Sequence, residues 1–214
     1  MPKTKLALTV AASLLFSTAV IAQDLVLEEV LVTAQKRTES LSDVPISVSA
    51  VGGEKLSSAG LTEISDITAY VPNLTMNETG IGTNISVRGI SSGINQGFEQ
   101  SVGMYIDDIY YGRAQLARAP FLDLERVEVL RGPQPILFGK NSIAGAVSMT
   151  TKKPGDEFEG DITALYEPEH GETDLRFSIG GPIVEGLSGR LAVLFKELDG
   201  YYDNTTLGRD EPQD

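Results

Sequence analysis

From Phe158 to Lys196 the apolar side chains fall on every second position in three successive stretches, and this period restricts the fold more than any other feature of the chain. Phe158, Gly160, Ile162, Ala164 and Tyr166 share one face, with Glu159, Asp161 and Thr163 on the other. Leu175, Phe177 and Ile179 then alternate with Arg176 and Ser178. Leu187, Gly189, Leu191, Val193 and Phe195 alternate with Ser188, Arg190 and Lys196. Successive side chains of a strand point to opposite faces, so a period of two predicts strands and excludes helices here. Each stretch is about 10 residues long and short turns bearing Gly or Pro join them, which is the pattern of a transmembrane barrel. A water-soluble antiparallel sheet with one wet face produces the same alternation. Periodicity fits both, and Tyr166, Tyr201 and Tyr202 near the strand ends would suit an aromatic girdle.

Before Lys152-Lys153-Pro154-Gly155 the pattern is different. Residues 44–151 read as mixed α and β. Thr62 is placed to cap a short helix whose Ile64, Ile67 and Val71 recur at helical spacing, ended by Pro72. Four strands are predicted, at 85–88, 102–109, 126–130 and 146–150. In the third, Val127 and Val129 face one side and Glu128 the other. Glycines at 89, 112, 132 and 145 punctuate the strand ends, so a compact, loop-rich domain is expected.

The N-terminus reads as an address. Lys3 and Lys5 precede an apolar run over 6–22 that lacks charge, and Val20 and Ala22 fit the small-residue positions before a cleavage point. The run falls short of a spanning helix, so a mature chain starting at Gln23 is expected. Residues 24–37, DLVLEEVLVTAQKR, contain an aliphatic and β-branched centre with no helical period. A core strand fits it. So does a terminal strand that adds itself to the sheet edge of a partner.

Several chemistries are excluded. The formal net charge is −13, which disfavours nucleic acid and anionic headgroups as partners. There is no cysteine, and the one histidine, His170, lies in the polar turn EPEHG, so no thiolate or His-pair metal site can form. Residues 132–142, GPQPILFGKNS, lack the glycine spacing of a P-loop and carry Asn141 where Ser or Thr would bind Mg²⁺. Asp107-Asp108 reads as an acid pair at a strand-to-turn junction. No nucleophile, base and orienter can be assembled, so neither an enzyme nor a cofactor site is expected.

Residues 122–154, LDLERVEVLRGPQPILFGKNSIAGAVSMTTKKP, resemble the signature block of the plug domain of TonB-dependent outer-membrane receptors. ISVRGI at 85–90 and VGMYIDDIYYGR at 102–113 agree with it in order, EVLVTA at 29–34 is similar to the family's TonB box, and VPISVSAV follows at 44–51. Pro135-Ile136 departs from the Gly-Thr or Gly-Ser usual after RGPQ. The resemblance implies an α+β plug followed by the start of an antiparallel transmembrane β-barrel. The expected layout is a signal peptide at 1–22, TonB box and linker at 23–43, plug at 44–154 and first barrel strands at 155–214. Family barrels have about 22 strands, so only a fraction of one is encoded here.

The function implied is energy-coupled uptake of a scarce nutrient, an iron–siderophore complex by default, with TonB as partner and the outer membrane as location. Glu29, Val30, Leu31, Val32, Thr33 and Ala34 would contact TonB. Arg88 and Arg131 would form ion pairs with barrel acids, and no ligand-binding residue is assigned. Two alternatives are a receptor that signals rather than transports, for which residues 23–28 leave no extra domain, and a free-standing periplasmic plug.

Overall fold

A computed structural model describes residues 31–33, 36–79, 82–93, 99–168, 171–198, 202–204 and 209–211. The segment 1–22, where an export signal is expected, lies outside the described residues, as do Glu29, Val30, Ala34, His170 and Tyr201. The described chain opens with a short antiparallel pair, β1 (Leu31–Val32) and β2 (Glu39–Ser40). Strand β3 (Val48–Gly52) leads directly into α1 (Gly53–Ser58), followed by the single-turn helix α2 (Ile64–Ile67). A hairpin of β4 (Leu74–Thr79) and β5 (Gly82–Val87) comes next, then the pair β6 (Val102–Ile106) and β7 (Ile109–Tyr111). A 3₁₀ turn (Ala114–Arg118), β8 (Leu124–Arg131), the short α3 (Pro135–Phe138) and β9 (Gly145–Thr151) complete this first unit.

Its centre is a five-stranded sheet in the order β3-β8-β9-β6-β7, in which only the β6–β9 pairing is parallel. One face carries Val51, Val127, Val129, Val147, Met149 and Met104, packed under Leu56 of α1, Ile64 and Ile67 of α2 and the β4–β5 hairpin. The opposite face has a smaller core of Val32, Val44, Tyr105, Leu130, Phe138 and Ala146. Strand β8 is therefore buried on both sides. This is why Val129 and Leu130 are both inaccessible at consecutive positions, and why Glu128, on the face opposite Val127 and Val129, is fully buried.

Local chemistry explains where the elements differ from the sequence-based expectation. The stretch 102–109 is a hairpin rather than one strand, because Asp107 and Asp108 both take left-handed φ values, 48° and 68°. Short polar side chains tolerate that region and two such residues in succession make a tight reversal. Helix α2 stops at Ile67 and its N-cap is Glu63, one residue beyond Thr62. Asp66 accepts the backbone N–H groups of Thr62 (2.7 Å) and Glu63 (3.1 Å). The Val71 N–H still donates to the Ile67 carbonyl at 3.0 Å, so Val71 joins the same buried stripe. Elements α1, β3 and β4 had no period long enough to announce them.

After Thr151 the chain forms a meander of β10 (Glu159–Glu167), β11 (Glu172–Val184) and β12 (Leu187–Glu197), and a separate small pair, β13 (Tyr202–Asn204) and β14 (Arg209–Glu211). The register aligns Gly160–Ile179–Leu191, Ile162–Phe177–Val193 and Ala164–Leu175–Phe195 into apolar rows. These rows are exposed: Ile162 is 80% accessible, Phe177 44% and Val193 50%. Asp174 and Ser178, on the other face, are buried. Polarity is thus inverted relative to a sheet that folds in water, where the apolar face would be covered. Inverted alternation is what a barrel wall with lipid outside requires.

Candidate functional site

Two polar constellations stand out, and both join segments far apart in sequence. The first holds the N-terminal strap. Leu31 and Val32 pair with Ser40 and Glu39, and Val32 is inserted completely into the smaller core. The next residue is gripped from the sheet. Thr33 donates its backbone N–H (2.7 Å) and its hydroxyl (3.1 Å) to Glu128 Oε1, and Arg126 Nε donates to the same oxygen at 2.8 Å. Arg126 Nη2 also donates to Thr33 Oγ1 at 3.1 Å, while its Nη1 pairs with Glu125. Glu128 Oε2 is buried and has no hydrogen-bond partner among the described residues. Three residues further on, Lys36 pairs with Asp108 and lies over the Phe138 ring, 4.6 Å from its centroid. Burial pushes the Tyr105 phenol above its ordinary pKa, so it stays protonated and donates to the Phe138 carbonyl, fixing that ring in place.

Of the residues expected to meet TonB, Leu31, Val32 and Thr33 are described. They are tied down against the sheet rather than free. Glu128 and Arg126 carry this arrangement and were not foreseen. No local signal could have found them: alternation places Glu128 opposite Val127 and Val129 but does not show that its face is covered.

The second constellation is the seam between the α+β unit and the meander. Asp123 faces Arg190 of β12 and accepts from its Nε and, at 2.7 Å, from its Nη2; both side chains are about nine-tenths buried. Arg190 Nη2 reaches Ser178 Oγ at 3.3 Å, and Glu159 Oε2 lies 3.7 Å from its Nη1. Beside it, Arg176 clamps Asp174 with two hydrogen bonds, 2.8 and 2.6 Å, and donates to the Phe121 carbonyl at 3.3 Å. Arg88 and Arg131 lie together at another corner. The Arg88 N–H donates to the Asn73 carbonyl at 2.9 Å and Arg131 Nη1 approaches the Pro72 carbonyl at 3.5 Å. Neither guanidinium forms an ion pair with a carboxylate of the described residues, and Arg131 Nε is buried without a partner there. The described contacts between the two units run through Asp123 and Phe121. No group of acids and histidines able to hold a metal ion occurs among the described residues.

Residues 40–146, half of the chain, match the family model of the TonB-dependent Receptor Plug Domain. The chain belongs to that family. The plug is the α+β unit, and the meander is the beginning of the barrel wall. An iron-regulated outer membrane virulence protein of Vibrio cholerae is 28% identical over 85% of this chain and 30% of its own length. The pesticin receptor of Yersinia pestis is 30% identical over 84% of this chain and 27% of its own length. The crystal structure of the ferric yersiniabactin uptake receptor FyuA from Yersinia pestis superposes with a TM-score of 0.70 at 30% identity, covering 77% of this chain and 26% of that one. This chain therefore spans under a third of the length of the curated relatives it matches.

Proposed function

We propose that this plug and its first barrel strands belong to an outer-membrane receptor that imports an iron–siderophore complex with energy delivered by TonB. The observation that carries the reading is the inverted meander: its apolar rows face outward, and its polar face holds the plug through Asp123 and Arg190. Such a wall is stable only with lipid on one side and a polar filling on the other. The similarity to receptors named for iron regulation and for ferric yersiniabactin uptake supports the ligand class. The work is transport, with no bond-making step.

Residues 1–22 direct export, 23–43 carry the TonB box and linker, 44–154 fill the barrel and 155–214 begin its wall. An outer membrane has no ATP beneath it, so the plug must be moved from the periplasmic side. Glu29, Val30, Leu31, Val32, Thr33 and Ala34 supply the strand that pairs with a sheet edge of TonB, chiefly through main-chain groups. Arg88 and Arg131, gathered at one plug corner, pair with carboxylates of barrel strands. Leu31→Pro tests the docking role, because proline removes a ladder donor and fixes φ. In the receptor carrying this chain, ligand binding at the cell surface stays intact and uptake of radiolabelled ferric siderophore is abolished. Lost binding, or normal uptake, would show that the segment is a structural strand of the plug.

A further inference from the structure

We infer that Glu128 and Arg126 form a keeper that parks the N-terminal strand and sets how readily it is presented to a partner. The inference rests on the reading that residues 29–34 dock by strand addition. Its basis is the exclusive use of one donor. The Thr33 N–H is given to Glu128 Oε1, and an N–H so engaged is unavailable to a partner strand. Parked and docked states therefore exclude one another at Thr33.

The grip is strong where it matters. Glu128 is fully buried, and a buried carboxylate must be supplied with donors. Three of them converge on Oε1, two from Thr33 and one from Arg126. When the strand leaves, Glu128 loses both Thr33 donors. Its unpartnered Oε2 and the Arg126 Nη2 released from Thr33 then become free to complete a two-point pair. That exchange lowers the cost of release without removing it, which is the property of a catch and not of a permanent joint. The Lys36–Asp108 pair is a weaker second tie, since Asp108 is largely exposed.

These 214 residues contain no cysteine, so Val32→Cys adds the one thiol among them, and the same receptor without that substitution supplies the labelling background. Val32 is inaccessible in the parked strap. The experiment uses the receptor in isolated outer membranes without ligand and follows the rate of labelling by a water-soluble maleimide. Added to Val32→Cys, Glu128→Gln speeds labelling roughly tenfold, and Thr33→Val, which deletes only the hydroxyl, speeds it roughly threefold. Unchanged rates in both overturn the keeper. Should Glu128→Gln lose the protease-resistant plug, Thr33→Val decides alone, because it leaves the Glu128–Arg126 pair in place. The docking reading is scored separately by Leu31→Pro. Faster labelling with normal Leu31→Pro uptake retains the keeper and removes the docking role. Unchanged labelling with uptake lost does the reverse.

Discussion

Asp123 occupies left-handed backbone space, φ 51°, which Asp tolerates better than most residues. Its carboxylate then meets Arg190, 67 positions away, in a seam closed to water. Removing one member of such a pair strands the other, which costs about 3–5 kcal/mol, whereas replacing both with packed apolar groups costs far less. Asp123→Asn, which suits the same φ, is therefore expected to lower the urea midpoint of the folded receptor strongly, and Asp123→Asn with Arg190→Met to recover much of that loss. Equal losses in the single and double variants would show that the pair contributes little beyond packing. None of this was legible in the sequence, where Asp123 is one acid in LDLERVEVL and its partner belongs to a different element. Glu128 shows the same limit. Alternation placed it correctly opposite Val127 and Val129, but the second layer that covers it is the strap, and no local pattern announces a layer contributed from 95 residues away.

The three meander strands were legible as strands because a period of two survives in any environment. Which face would be dry was not, since a water-soluble sheet and a barrel wall write the same alternation. The structure answers with exposure, and the answer has a test. Phe177 sits mid-row between Ile162 and Val193. Phe177→Arg is expected to cost about 2–4 kcal/mol for a receptor folded in phospholipid vesicles, as for any cation near the bilayer midplane. In a sheet standing in water the same change would be nearly neutral and would improve solubility. Chemical denaturation in vesicles reads the difference directly. The plug's elements were less legible. The strand-to-turn reading of Asp107-Asp108 marked where the 102–109 run breaks, but Asp-Asp is a weaker hairpin signal than Asn-Gly or Asp-Gly and did not announce the returning strand β7, and α1 is too short to show a period.

The two units differ in what they need from their surroundings. The plug buries two cores of its own, and the smaller includes Val32. A fragment of residues 31–153 is expected to be a soluble monomer, and one beginning at Val44 to be less stable by about 1–3 kcal/mol for loss of the Val32 side chain. The 214-residue chain without lipid or detergent is expected to aggregate through its apolar rows and unpaired strand edges. Thermal melting and light scattering of the three samples check all of this, and equal solubility of fragment and chain would count against a lipid-facing wall. The seam has a topological meaning as well. Asp123 grips β12, and β10 to β12 are the earliest wall strands after the plug in chain order. A wall extended from them closes around a body already attached to its inner surface. The filling never has to be threaded through a finished ring.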